Sequence, residues 1–94
     1  HFKTPTRIEF SASPLPERTL LSIVCADRPG LLADIAYALL QSRVRVHDAR
    51  IATFGERAED IFSISDRDDR AITDDTALQS IRDALLDYLE GRKK

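Results

Sequence analysis

Cys25 is the only cysteine in the chain, so no internal disulfide can form and a cytoplasmic home is the expectation. Methionine is absent, even at position 1, and the chain is therefore expected to be a piece of a longer protein. No apolar run approaches the roughly 18 to 20 residues that a membrane helix needs. No signal-peptide pattern opens the chain either, so a membrane partner is not expected. Charge of one sign is also missing. Fourteen basic residues against sixteen acidic ones leave a formal −2, which gives nucleic acid nothing to hold. Only six aromatic residues are present, without the Gly-aromatic motif on which RNA-binding sheets stack bases. A Cys-x-x-Cys pair, the signature of small metal carriers, is lacking too.

What remains suits one small folded domain. Ninety-four residues can enclose a single core, and 43% apolar with 32% charged residues is an ordinary globular balance. Thr6 to Ala12 alternates, with Ile8 and Phe10 on one face, and reads as a strand. Ser13-Pro14-Leu15-Pro16-Glu17 is a turn, because two such prolines cannot sit inside a sheet. Thr19 to Ala26 is the strongest strand, and the pair should form an antiparallel hairpin.

Leu31, Leu32, Ile35, Ala36, Leu39 and Leu40 recur at helical spacing, which predicts a helix from about Gly30 to Ser42. Val44 to Phe54 is β-branched and alternating, but its apolar phase slips by one residue. A bulge near His47-Asp48 is expected there. Phe54-Gly55-Glu56-Arg57 supplies a hairpin turn, and Ala58 to Ser65 follows as a strand with Phe62 and Ile64 inward. Asp66 to Asp75 reads as a solvated loop. Asp74 then caps a second helix to about Leu89, with a stripe of Leu78, Ile81, Leu85 and Leu89. Gly91 is its stop signal.

The order is β-β-α-β-β-α. Two amphipathic helices must bury their stripes on one face of a four-stranded antiparallel sheet. This predicts an α+β ferredoxin-like sandwich in permuted order, the early strand taking the place of a missing last one.

Few residues offer catalysis. His47-Asp48 spells a metal-hydrolase doublet, but the only other histidine is His1, and a strand position suits a structural role. Cys25 could be a nucleophile with His47 as base, but a lone cysteine inside an apolar strand is expected to be core. Asp66, Asp68 and Asp69 suggest calcium, yet Arg70 and Ala71 stand where an oxygen ligand and a glycine belong. No metal site is expected.

The turn Asp27-Arg28-Pro29-Gly30-Leu31-Leu32 offers more. It joins the strongest strand to a helix start, with Pro29 read into the first helical turn. Gly30 permits a sharp bend and close approach. Free amides and the positive end of a helix dipole favour a carboxylate or phosphate. A mere tight connection stays open as the alternative.

This turn, with the order of elements from Arg18 to Leu89, resembles the ACT domain, a regulatory module that binds amino acids. Ala49-Arg50-Ile51-Ala52-Thr53, followed by Gly55-Glu56-Arg57-Ala58-Glu59-Asp60-Ile61-Phe62, is more specific. It is similar to the C-terminal ACT repeat of the PII uridylyltransferase/uridylyl-removing enzymes. The resemblance implies a non-catalytic segment without a cofactor of its own. Nucleotidyltransferase and hydrolase domains, using magnesium or another divalent metal, would lie upstream. It implies control of uridylylation of the signal protein PII by glutamine or another small amino acid.

Domain bounds follow: 1–17 as linker and completing strand, 18–90 as the ACT domain, 91–94 as a tail. By resemblance, the ligand lies at the strand-helix turn, where two such domains or two copies pair. Gly30, Leu31 and Leu32 amides would receive its α-carboxylate, and Asp27 its α-ammonium, with Arg28 and Pro29 of the same turn also expected at the ligand. Cys25 would line the same pocket. Arg45 stands where relatives place a polar contact from the partner domain. An ACT-like assembly domain without a ligand is the alternative.

Overall fold

A computed structural model describes residues 4–91. Residues 1–3 of the expected 1–17 segment and 92–94 of the expected 91–94 tail lie outside the described residues. Six elements follow in chain order: β1 (Arg7–Ala12), β2 (Thr19–Ala26), α1 (Leu31–Gln41), β3 (Arg45–Phe54), β4 (Arg57–Ser65) and α2 (Asp75–Leu89). The sheet runs β1-β2-β4-β3 with every neighbour antiparallel. The fold is an α+β ferredoxin-like, ACT-like sandwich.

Alternation in β2 and β4 builds the core. Leu21, Ile23 and Cys25 of β2 and Ala58, Phe62 and Ile64 of β4 are all buried. They meet Leu31, Ile35, Ala38 and Leu39 of α1 and Ile81 and Leu85 of α2. Leu78 and Leu89, expected in the buried stripe of α2, are only partly covered. Burying one such aliphatic side chain contributes about 1.5–3 kcal/mol, so these two central strands hold the domain together. Asp74 caps α2 by accepting from the Ala77 amide at 2.9 Å.

Six apolar positions in α1 are more than one helix face can bury. Leu31, Ile35 and Leu39 turn inward, while Leu32 and Leu40 remain 50% and 68% exposed. Along β3 the expected bulge falls between Val46 and Asp48. The extra residue, His47, restores the phase, so Val46, Ala49 and Ile51 lie opposite Ile64, Phe62 and Asp60 on the helix side. No residue of this edge strand is buried.

The connection between β2 and β3 decides where sites can form. Both strands run antiparallel to β4 and hence parallel to each other. Helix α1 carries the chain back along the sheet, so β3 begins at the far end from the Asp27 turn. Its last residues return to that turn: Ala26 and Phe54 both pair with Arg57.

Candidate functional site

The start of α1 is set by Gly30. Its φ of 79° is left-handed, so it caps the helix rather than joining it, and the first helical residue is Leu31. Pro29 therefore precedes the helix, one correction to its expected place in the first turn. A Cβ on Gly30 would meet only the Arg28 side chain, at 3.9 Å. Backbone angle, not crowding, is what requires glycine here.

No side chain caps this helix. The Leu31 amide is engaged by the Arg28 carbonyl at 3.2 Å, which removes one of the three amides expected to face a ligand. Leu32 and Ala33 occupy the first turn, where an α-helix offers no intrahelical acceptor. Their amides and the dipole still favour an anion.

Two contacts hold the turn in place. The Asp27 amide donates to the Glu56 carbonyl at 2.8 Å, joining it to the β3–β4 hairpin. Arg28 donates to Asp34 Oδ2 at 2.6 Å, to the Tyr88 carbonyl at 3.3 Å and to the Pro29 carbonyl at 3.2 Å. Arg28 thus clamps the start of α1 to the end of α2. Its charge is already matched by Asp34.

A cleft of about 240 Å³ opens between this turn and the ends of β3 and β4. Asp27, Arg28, Gly30, Leu31 and Leu32 border it from one side. Ile51, Thr53, Ala58 and Asp60 border it from the sheet. Asp60 is 3% exposed, and its Oδ1 accepts the Ala52 amide at 3.3 Å. Burial pushes its carboxyl pKa above the ordinary aspartate value; the Ala52 hydrogen bond opposes this and nearby Asp27 adds to it.

Five of the residues expected to meet a ligand border this cleft, while the four on the sheet were not anticipated. The signal for Asp60 was present. Extending the alternation of Phe62 and Ile64 by one step puts an acid at an inward position.

Cys25 does not border this cleft. It is buried opposite Ala58 and lines a separate cavity with Thr6, Leu89 and Glu90, also bordered by Arg28 and Leu31. Burial raises its thiol pKa, with Asp60 the next contributor. Pro29 is not among the cleft residues either.

Arg45 sits at the opposite end of the sheet, 3.3 Å from Asp69, beside His47, whose Nε2 is 2.7 Å from Ser65 Oγ. Within one copy Arg45 cannot reach the Asp27 turn. Any contact from Arg45 must come from a second domain. Cys25 and His47 likewise stand at opposite ends of the sheet, so they form no catalytic pair. Among the described residues, no three His, Cys, Asp or Glu side chains converge as a metal ion requires. Asp66 Oδ1 is instead occupied by the Asp68 and Arg70 amides of its own loop.

No protein-family model matches the chain. Its sequence is nevertheless 56% identical over 90 residues to the bifunctional uridylyltransferase/uridylyl-removing enzyme of Xanthomonas campestris pv. campestris. That match takes in 96% of this chain and 10% of the enzyme. The enzyme of the same description from Methylococcus capsulatus is 37% identical over 89 residues, again 95% of this chain and 10% of the relative. The chain spans about a tenth of the length of the curated relatives it matches.

Among solved structures, an unknown protein from Galdieria sulphuraria superposes with a TM-score of 0.64 at 25% identity, over 80% of this chain and 40% of that one. A protein assigned as a glycine cleavage system transcriptional repressor gives 0.56 at 22% identity, over 81% and 39%. The second supports the fold alone.

Proposed function

We propose that this chain is the amino-acid-sensing ACT domain of a uridylyltransferase/uridylyl-removing enzyme, with glutamine as its ligand. One observation carries the reading: a single cleft sets a helix start without a side-chain cap beside two carboxylates, Asp27 and Asp60. An α-amino acid carries the complementary pair, a carboxylate for the α1 amides and an ammonium for the acids. The cleft's volume suits a small metabolite rather than a nucleotide or a chain.

On this reading the chain is regulatory and works in the cytoplasm. Uridylyl transfer to PII, its removal, and any divalent metal belong to domains outside these residues. Coupling requires the ligand to prefer one arrangement of those domains. Exposed Leu32 and Ile51 border the cleft, and Leu40 and Val46 extend the apolar surface of the same two elements. A second ACT domain covering this strip would close the cleft, so bound ligand would favour the paired state. The same strip supports a second reading, an assembly domain with an empty cleft.

Calorimetry with glutamine, on this chain and on the chain joined to its neighbouring repeat, separates the two. Binding that is lost in Gly30→Val is the expected result. Unchanged affinity in that variant overturns the proposal.

A further inference from the structure

Strand β4 presents four residues to the helix side: Ala58, Asp60, Phe62 and Ile64. Three are apolar and one is an acid, and all four are buried. The Asp60 carboxylate receives a single long hydrogen bond, from the Ala52 amide to Oδ1. Among the described residues its second oxygen has no donor and no cation. No buried polar side-chain atom among the described residues is left without a partner, so that second oxygen is open at the cleft.

The second oxygen belongs to the cleft, where Asp27 adds another negative charge. Arg28 is the one cation among the lining residues, and its guanidinium is held by Asp34 and two carbonyls. The cleft's one cation is therefore already engaged, and a ligand's ammonium would bring a second.

We infer that Asp60 selects the ligand's ammonium group, so that the cleft takes α-amino acids and rejects the same acids without nitrogen at Cα. This rests on the amino-acid-sensing reading and deepens it. Asp60 lies on the floor of the cleft, fixed by the sheet, whereas Asp27 is exposed at its rim. A rigid, largely buried carboxylate discriminates more strongly than an exposed one, because a bound ligand without the ammonium covers its open oxygen and gives it no donor.

Nuclear magnetic resonance titration of the isotopically labelled chain tests this with L-glutamine and glutaramate, which is glutamine without its α-amino group. Wild type should bind glutamine about tenfold to a hundredfold more tightly than glutaramate. Asp60→Asn should lose that preference, while Asp27→Asn keeps most of it. A preference retained in Asp60→Asn, or abolished by Asp27→Asn alone, overturns the inference and leaves amino-acid sensing intact. If Asp60→Asn does not fold, wild type decides: equal affinity for the two compounds overturns the inference. Failure of wild type to bind glutamine at all overturns both.

Discussion

The Asp27 amide and the Glu56 carbonyl lie 2.8 Å apart, and that hydrogen bond joins the two stretches of sequence that look most like motifs. Asp27 opens the strand-helix turn, and Glu56 sits in the hairpin before β4. Between them they frame one cleft, with the turn as its rim and Asp60 as its floor.

Gly30 holds its left-handed backbone without crowding, so substitution there should cost only the conformational term. Gly30→Ala is expected to destabilise the chain by about 1–2 kcal/mol. Gly30→Asn should cost less, since asparagine tolerates that region better. Urea unfolding of the three proteins checks the order. Equal stability of Ala and Gly would contradict the assigned backbone role.

Asp60 predicts a pH dependence of stability. Burial raises its folded pKa above its unfolded value, so the folded chain holds the proton more tightly. Its stabilising contribution is present below the unfolded pKa and is lost as pH rises through the folded pKa. Relative to Asp60→Asn, wild type should therefore weaken as pH climbs through that window. Urea midpoints of both proteins across mildly acidic to neutral pH give the comparison. A constant difference would rule the effect out.

Arg28 serves three acceptors with one planar fork, which a lysine ammonium cannot reproduce. The pair with Asp34 is more than a third exposed on both sides, so its worth is modest. Arg28→Lys should cost about 0.5–1.5 kcal/mol, a fall in melting temperature of several degrees. Thermal unfolding at low and high salt checks this. No change at either would show that the clamp is idle.

Cys25 should behave as a core residue. Its thiol is buried and its pKa raised, so little thiolate is available to reagents. Modification by iodoacetamide should run about tenfold or more slower in the native chain than in urea. Comparable rates would place the thiol at the surface.

Much of this was legible in the residues. The apolar run Leu20–Ala26 and the Leu/Ile spacing after Gly30 specify the sandwich, and the phase slip at His47 announced its bulge. Three things were hidden by long-range geometry. Arg45 follows α1 closely in sequence, but the helix spans the sheet and delivers β3 to the opposite end. Cys25 is two residues from Asp27, yet strand alternation turns it beneath the helices, into another cavity. Leu32 and Leu40 fit the helical period of the core but face out, because α1 covers the sheet with one face only.

The most direct test is a titration of the labelled chain with L-glutamine, read amide by amide. The account predicts shifts concentrated at Leu31 to Ala33, at Ile51 to Thr53 and at Asp60, with little change near Arg45 or Asp69. Shifts absent throughout, or centred on the far end of the sheet, would contradict it.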